Sequence, residues 1–370
     1  MKFIISKNVI FKSLSHLQNI VEKKNPLPIL SSILIEAKDN NLILSSTDMD
    51  ISITEKINCN VLENGATTIN AHTIYDIIRK LQDDSEIEII CNDGKLLTLR
   101  SGTSRFSLNC LPKEDFPIIE TENSGKTIKI NSQELLKLID KTKFAISTEE
   151  TRYFLNGLYL NVNSENNKRI TIVGTDGHRL AKFEHVKEDL NEQIQGVIIP
   201  KKTINELSKL LSENTEEIEL NINTSKIVFF IKNLVLISKL IDGSFPDYNK
   251  VIPNNNNNIM TVKRVELASA VDRVSTIANE KTPVVKLKLM KNLININTVN
   301  SENNSASEDI EVKYEGETIE IGFNSKYILE LINNLEDDEI SIAYKDNSSP
   351  IMATEKSNPD LVYVLMPMRV

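Results

Sequence analysis

The stretch Ile69–Leu81, INAHTIYDIIRKL, decides the fold because the chain contains it three times. The other two copies are Ile199–Leu211, IPKKTINELSKLL, and Phe323–Leu335, FNSKYILELINNL. In each copy an apolar residue ends a strand, a polar residue or proline begins a helix, and apolar side chains then recur with a helical period. The three copies lie at nearly equal spacing, so one structural unit repeats three times along the chain.

The sequence around these copies repeats as well. Each copy leads into an alternating strand, at Glu86–Ile89, Glu217–Leu220 and Glu339–Ile342. Each is preceded by a first strand and an amphipathic helix, which begins near Lys7, Ser132 or Lys263, with Val9, Ile10, Leu14, Leu17 and Val21 on the inner face of the first. A further strand closes each unit, at Arg105–Leu108, Leu234–Ile237 and Leu361–Val364. The pattern predicts an α+β fold of three repeated domains, residues 1–122, 126–253 and 259–370, each with two helices packed on an antiparallel β-sheet.

Composition narrows the class of protein. The chain has 370 residues, a net charge of −9, no tryptophan and three cysteines. The acidic balance excludes a strongly basic nucleic-acid binder, and Cys59, Cys91 and Cys110 have neither zinc-site nor disulfide spacing. The apolar run at the start is too short for a signal peptide, and no run approaches the length of a transmembrane helix. We therefore expect a cytoplasmic protein without a membrane association, a metal or a cofactor.

Positive charge is concentrated on the predicted helices. Over Lys7–Lys24, His72–Leu81, Ser132–Lys143, Pro200–Ser212, Lys263–Lys281 and Ser325–Leu335 the net charge is +8, which leaves −17 for the rest of the chain. This asymmetry is typical of a protein that presents one surface to a polyanion. It is equally typical of lysines that only keep helix surfaces soluble. No motif for reading bases is present, so contact would be with phosphates.

Val173–Leu180, VGTDGHRL, is the run with the most chemical character. Asp176 and His178 could form an acid/base pair, but no nucleophile accompanies them. Ser46–Asp50 of the first repeat keeps the Thr-Asp pair without the histidine or arginine. Thr-Asp is therefore interpreted as a structural turn of the repeat, and Gly177–Leu180 as a binding surface added in the second repeat.

The last residues, Leu361–Val370, are apolar almost throughout. Two interpretations are open: a final strand that completes a sheet, or a strand whose last turn also forms part of a pocket.

Several long motifs resemble the bacterial DNA polymerase III beta subunit family, the sliding clamps, over nearly the whole chain. They are Leu27–Leu30 (LPIL), Gly65–Thr68 (GATT), Arg105–Leu108 (RFSL), Asp115–Pro117 (DFP), Arg152–Gly157 (RYFLNG), Thr175–Ala181 (TDGHRLA), Phe245–Tyr248 (FPDY), Ile321–Asn324 (IGFN) and Tyr363–Val370. The resemblance implies a non-catalytic processivity factor, in which each chain forms half of a closed, head-to-tail homodimeric ring. Such a ring encircles duplex DNA without sequence specificity and slides along it.

The resemblance also implies a hydrophobic cleft for short motifs of partner proteins. These partners would be the DNA polymerase III alpha subunit, the clamp loader, and other polymerases and repair proteins. Carried over to this chain, the cleft residues are Leu155, Thr175, Gly177, His178, Arg179, Leu180, Pro246, Val251, Asn324, Val364, Met366, Pro367, Met368 and Arg369. Asn249 and Lys250 follow the FPDY motif, where the family often has arginine.

DNA contacts and the dimer interface are carried over in the same way. The DNA-binding candidates are Lys24, in a loop where many relatives have arginine, and Lys201 and Lys202. Glu149 would repel phosphate and is not carried over. The interface candidates are Arg105, Phe106, Leu108, Ile277, Glu302, Glu308 and Asp309.

Two other classes of function stay open on the residues alone. An enzyme, for example a hydrolase, would use Asp176 and His178. A sequence-specific or structural DNA binder would use the basic helices without closing a ring.

Overall fold

The computed structural model describes residues 1–23, 26–119, 125–165, 168–281 and 283–368. The chain divides into two compact units. The first comprises Met1–Leu136 and Lys202–Leu240, and the second comprises Lys137–Lys201 and Ile241–Val370. The first repeat lies in the first unit and the third repeat in the second, whereas the middle repeat contributes to both.

Within the described residues the three repeats have one order of elements: strand, helix, strands, helix and three final strands. The first repeat contains β1 Lys2–Ser6, α1 Lys7–Gln18, β2 Ser32–Lys38, β3 Asn41–Thr47, β4 Ile51–Asn58, β5 Asn60–Glu63, β6 Gly65–Asn70, α2 Ala71–Lys80, β7 Glu86–Cys91, β8 Leu96–Ser101 and β9 Ser104–Asn109. The middle repeat contains β10 Lys126–Asn131, α3 Ser132–Asp140, β11 Gly157–Asn163, β12 Arg169–Thr175, β13 Arg179–Val186, β14 Ile194–Pro200, α4 Lys201–Ser212, β15 Glu217–Ile222, β16 Lys226–Ile231 and β17 Leu234–Lys239. The third contains β18 Asn258–Lys263, α5 Arg264–Ser275, β19 Val284–Met290, β20 Leu293–Val299, β21 Ser305–Glu311, β22 Ile319–Asn324, α6 Ser325–Asn333, β23 Glu339–Tyr344, β24 Ile351–Thr354 and β25 Leu361–Leu365.

Local sequence explains where the second helix of a repeat begins. Asn70 caps α2, because its Oδ1 accepts a hydrogen bond from the Thr73 amide at 2.9 Å. Asn324 caps α6 through the Lys326 amide at 3.0 Å. These caps satisfy backbone donors that have no partner within the helix.

All strand pairs in the four sheets are antiparallel. In the first unit the orders are β5-β1-β7-β8-β9 and β10-β15-β16-β17-β4-β3-β2-β6. In the second unit they are β14-β11-β12-β13-β25-β24-β23-β18 and β21-β20-β19-β22. The predicted α+β repeats, with helices packed on antiparallel sheets, are therefore confirmed.

Each eight-stranded sheet joins strands of two successive repeats. The last strand of the middle repeat, β17, pairs with β4 of the first, with Leu236 opposite Ile53. The last strand of the third repeat, β25, pairs with β13 of the middle one, with Val364 opposite Leu180. The apolar end of the chain is thus an interior strand of its sheet.

The core is mostly aliphatic, although some aromatic side chains, among them Phe229 and Tyr363, are also fully buried. Ile10, Leu14 and Leu17 of α1 are fully buried, and so are Ile74 and Ile78 of α2. Helix α1 packs against α2, and α5 packs against α6.

The first helix differs from its prediction in two respects. Val9 is 44% exposed rather than on the inner face. It immediately precedes the buried Ile10, and one residue turns the side-chain direction by about 100°. Helix α1 also ends at Gln18, well before Lys24.

The basic helix surface is weaker than predicted, because several helices are shorter than predicted. Within the observed bounds the six helices carry a net charge of +4 instead of +8. Lys141, Lys143 and Lys263 lie beyond the helix ends.

The asparagine run before the third repeat, Asn254–Asn258, is tied to that repeat by hydrogen bonds and strand pairing. The side-chain Nδ2 of Asn256 donates to the backbone carbonyl oxygens of Ala343 at 3.0 Å and Pro350 at 2.9 Å. Asn258 already belongs to β18. Among the described residues, none of the helices has the length and apolar character needed to cross a membrane.

Candidate functional site

The turn between β12 and β13 is built by side chains that bond to their own backbone. The Thr175 hydroxyl donates to the Arg179 carbonyl at 2.6 Å and accepts from the Gly177 amide at 3.1 Å. Oδ1 of Asp176 accepts from the amides of His178 at 2.9 Å and Arg179 at 3.0 Å. Gly177 has a φ of 87°, which favours glycine.

The first repeat contains the same turn between β3 and β4. The Thr47 hydroxyl donates to the Ile51 carbonyl at 2.9 Å and accepts from the Met49 amide at 3.0 Å. Oδ1 of Asp48 accepts from the amides of Asp50 at 2.9 Å and Ile51 at 2.8 Å. The interpretation of Thr-Asp as a structural turn of the repeat is confirmed.

Beside the second-repeat turn lies an apolar cavity of about 310 Å³. Its lining residues come from the turn, from the segment before β11, from the segment before β18 and from the end of the chain. They are Arg152, Phe154, Leu155, Thr175, Gly177, Arg179, Leu180, Pro246, Tyr248, Val251, Val364 and Met366. Leu155, Leu180 and Val364 are at most 3% exposed. The cavity can therefore receive an apolar side chain on a preformed floor.

Aromatic rings support one side of the cavity. Tyr159 on β11 stacks on Phe245 with ring centroids 4.8 Å apart, and the Tyr248 ring lies 5.9 Å from that of Tyr159. Burial, followed by the nearby Tyr159, raises the pKa of Tyr248 to about 12, so its hydroxyl stays neutral. These rings position Pro246 and Val251 on the same loop.

The residues after β25 are fixed by two backbone hydrogen bonds. The Met366 amide donates to the His178 carbonyl at 2.9 Å, and the Met368 amide donates to the Gly322 carbonyl at 2.8 Å. The segment thus continues past the turn towards β22. The segment Leu361–Met366 both completes a sheet and lines the cavity. Both interpretations of the last residues are therefore correct.

Arg152 lies over the turn at the mouth of the cavity. Its Nε and Nη2 donate to Oε2 of Glu149 at 2.9 and 2.7 Å. A Cβ atom at Gly177 would stand only 2.5 Å from Nη1 of Arg152. A side chain at position 177 would have to displace the end of the Arg152 side chain, and the positive φ also favours glycine there.

The structure separates the predicted cleft residues into two groups. Nine of them line the cavity: Leu155, Thr175, Gly177, Arg179, Leu180, Pro246, Val251, Val364 and Met366. His178, Asn324, Pro367 and Met368 lie outside that lining, and the His178 ring instead stacks on Tyr327 with centroids 6.1 Å apart. Arg369 lies outside the described residues.

Sequence reasoning missed three lining residues, Arg152, Phe154 and Tyr248. Each belongs to a motif already singled out, RYFLNG or FPDY, so the signal was present. The motifs alone do not tell which of their side chains point into a cavity.

The acid/base pair required by the enzyme hypothesis is not formed. Both carboxylate oxygens of Asp176 are engaged, Oδ1 by the two backbone amides and Oδ2 by Nε of Arg179 at 3.1 Å. Within the part of the chain that the structure describes, no group of three or more His, Cys, Asp or Glu side chains could hold a metal ion.

The DNA-binding candidates lie in different situations. Lys24 is outside the described residues. The Lys202 ammonium group forms an ion pair with Asp48 and donates to the Ile20 carbonyl at 3.0 Å. Lys201 is the first residue of α4 and is partly exposed.

The interface candidates lie on two sheet edges. Three of them, Arg105, Phe106 and Leu108, belong to β9, an edge strand of its sheet. Glu308 and Asp309 belong to β21, an edge strand of another sheet. Ile277 follows α5, and Glu302 lies in the turn before β21. Glu308 pairs with Arg273 of its own chain, with Nε to Oε2 at 3.0 Å. A groove of about 540 Å³ runs between α5 and β21.

Repeated α+β domains of this kind define the DNA clamp class of folds, and comparison with known proteins identifies the family. Residues 1–120, 129–247 and 249–369 match the N-terminal, central and C-terminal domains of the DNA polymerase III beta subunit. The chain therefore belongs to the DNA polymerase III beta subunit family. Members of this family are DNA polymerase processivity factors and not catalytic enzymes.

Individual relatives agree over the full length. The beta sliding clamp of Caulobacter vibrioides is 41% identical over 372 residues, covering 100% of both chains. A sliding clamp from Bartonella birtlesii, solved bound to griselimycin, is 39% identical with a TM-score of 0.97, again covering 100% of both chains. A Caulobacter crescentus clamp, with polyethylene glycol bound to its putative beta-motif tethering region, is 40% identical with a TM-score of 0.96, covering 100% of this chain and 99% of that one.

Proposed function

We propose that this protein is a sliding clamp, a DNA polymerase processivity factor. Two copies form a closed ring of six domains, with boundaries in each chain at 1–122, 126–253 and 259–370. The ring encircles duplex DNA, slides along it, and tethers the replicative polymerase and other DNA-handling proteins. Family membership and the full-length similarity to beta sliding clamps support this function.

The main support for the proposed ring is the strand pairing between successive repeats. In both eight-stranded sheets the last strand of one repeat pairs with the strand that follows the Thr-Asp turn of the preceding repeat: β17 with β4, and β25 with β13. In the third repeat the strand at the equivalent position is β21. By the same rule the last strand of the first repeat, β9, should pair with β21 of a third repeat. Among the described residues both β9 and β21 lack a partner on their outer side. Unpaired strands of this kind recruit a strand from another molecule.

The two edges are complementary in charge. Arg105 lies on β9, whereas β21 carries Glu308, Asp309 and Glu311. A head-to-tail contact between two copies joins β9 of each to β21 of the other and leaves neither edge open. A head-to-tail contact forms a ring if the rotation between copies closes, and in this proposal it closes after two copies, which gives a dimer.

Contact with DNA is diffuse in this proposal. Lys24 and Lys201 contribute positive charge, while Lys202 acts less directly because its ammonium group is held by Asp48 and the Ile20 carbonyl. Few phosphate contacts suit a protein that must slide, because each tight contact adds salt-dependent affinity. Topology, not affinity, retains the ring on DNA.

The cavity beside Thr175–Leu180 takes short motifs of partner proteins. An apolar side chain seated on Leu155, Leu180 and Val364 contributes about 1.5–3 kcal/mol, so partners exchange readily. Met366 at the rim suits varied partners because methionine repacks easily. Candidate partners are the DNA polymerase III alpha subunit, the clamp loader, and other polymerases and repair proteins. The griselimycin-bound relative supports a ligand site on the same fold.

The proposed location of the protein is the cytoplasm. Cys59, Cys91 and Cys110 are all free thiols, which is the state expected in a reducing compartment.

Retention on DNA tests the ring. The protein is loaded by a clamp loader onto nicked circular DNA, separated from free protein, and the DNA is then cut once. A ring should stay on the circle and slide off the linear form, while blocking both ends should restore retention. Equal retention before and after cutting would exclude topological binding.

A further inference from the structure

Arg179 lines the cavity, yet its guanidinium group is directed at the protein. Its side chain is only 9% exposed. Nε pairs with Oδ2 of Asp176 at 3.1 Å, Nη1 pairs with Glu330, and Nη2 donates to the Phe144 carbonyl at 2.8 Å. All three nitrogens of the guanidinium group are therefore engaged within the chain.

Two aromatic rings also contact the same guanidinium group. The centroid of Tyr327 is 4.5 Å from Cζ of Arg179, and that of Phe144 is 5.3 Å away. Planar guanidinium groups stack on such rings, which the point charge of lysine cannot do equally well.

These contacts connect three separate parts of the second unit. Asp176 belongs to the turn, Phe144 to the short helical turn Lys143–Ala145, and Tyr327 and Glu330 to α6. The turn also contacts α6 through the His178 ring, which stacks on Tyr327.

The position of the turn decides the shape of the cavity. Thr175, Gly177 and Leu180 of this turn line it, and the His178 carbonyl anchors Met366. A shift of the turn relative to α6 would therefore move several lining residues at once.

We infer that Arg179 is a positioning residue for partner binding, which holds the turn Thr175–Leu180 against α6 through Glu330. It preorganises the cleft and does not itself recognise the partner. This inference rests on the proposed function of the cavity as a peptide site. Preorganisation of this kind raises affinity because the ordering cost is met before the ligand arrives.

Four variants of the full-length protein test the inference, with griselimycin as the probe and titration calorimetry as the readout. Arg179→Lys should weaken binding about tenfold, the equivalent of about one charge-assisted hydrogen bond. Glu330→Ala should weaken it about fivefold, although Glu330 does not line the cavity. The double variant should be no weaker than Arg179→Lys within about twofold, because both changes break one link.

Arg169→Lys is the matched control. Arg169 also forms ion pairs on the same sheet, with Glu184 at 2.8 Å and Asp360 at 3.4 Å, but it does not line the cavity. Its variant should bind griselimycin as the unaltered protein does.

Hydrogen exchange of residues 175–180 provides a readout that does not depend on a ligand. Exchange should accelerate in Arg179→Lys and Glu330→Ala and stay unchanged in Arg169→Lys. Loss of affinity in Arg179→Lys with an unaffected Glu330→Ala would indicate direct recognition by Arg179 and overturn the inference. Unchanged exchange in both variants would overturn it as well. If the unaltered protein fails to bind griselimycin, the proposed peptide site is contradicted, and hydrogen exchange still decides whether Arg179 holds the turn.

Discussion

Single residues distinguish two turns that share one backbone. Met49 has a φ of 80° and Gly177 a φ of 87°, and both turns use the same four side-chain hydrogen bonds. In the second repeat glycine leaves room for Arg152, and Arg179 replaces Ile51. The two turns therefore share one backbone conformation and differ in the side chains that they present.

The floor of the cavity gives the first prediction. Leu180→Ala removes a buried apolar surface, so griselimycin should bind about tenfold more weakly. The free energy of unfolding should fall by about 2–3 kcal/mol. Leu287→Ala, in the equally buried core of the third repeat, is the control. It should lose similar stability while keeping its affinity, and equal affinity in both variants would exclude Leu180 from the site.

A mostly buried histidine gives a prediction about pH. His16 on α1 contacts Glu55 with Nδ1 to Oε2 at 3.0 Å, and its Nε2 lies 3.6 Å from Glu213. Burial alone would lower the pKa of His16, but the hydrogen bond and charge of Glu55 and the charge of Glu213 more than offset this and raise it above 6.5.

Because the folded pKa of His16 is the higher one, its stabilisation is fully present below about pH 6.5 and is lost as pH rises through the folded pKa. The urea midpoint should therefore fall between pH 6 and pH 8.5 by more in the unaltered protein than in His16→Gln. Identical pH profiles would mean that the pKa of His16 is the same in the folded and the unfolded state.

At the scale of elements, the spacing of apolar residues predicted the helices and strands whose formation depends on local sequence. The three helix copies, the strands that follow them and the closing strands all lie where the apolar spacing placed them. Helix ends were predicted less well, because α1 stops at Gln18 while apolar residues continue to Val21. The turn geometry of Thr175 and Asp176 could be interpreted by comparing repeats. The inward direction of the Arg179 side chain could not, because it depends on Phe144, Tyr327 and Glu330, which are distant in sequence.

The segment after β25 gives a prediction at this scale. Deletion of Met366–Val370 leaves β25 intact, because that strand ends at Leu365. It removes the hydrogen bonds to His178 and Gly322 and one wall of the cavity. The truncated protein should remain a folded dimer by circular dichroism and light scattering but lose griselimycin binding. Loss of folding would assign the segment to the core instead.

At the scale of the whole molecule, the proposed dimer depends on two sheet edges. Arg105→Glu places a negative charge on β9 opposite the acidic strand β21, and like charges at an interface cost several kcal/mol. The dimer dissociation constant should rise at least about tenfold. Light scattering over a dilution series would then show the 41.8 kDa monomer at concentrations where the unaltered protein has twice that mass. Lys38→Glu, at the end of β2 in a different sheet from β9, should leave the dimer unchanged.

The strand pairing between successive repeats has a consequence for the order of the chain itself. If β17 with β4, β25 with β13, and β9 with β21 are equivalent seams, the peptide links between repeats do not determine the order of domains around the ring. A circular permutant that starts in β10, ends after β9, and joins the old termini by a sufficiently long flexible linker should assemble the same six-domain ring. Only the location of the two non-covalent seams would differ, and they would lie where β17 meets β4.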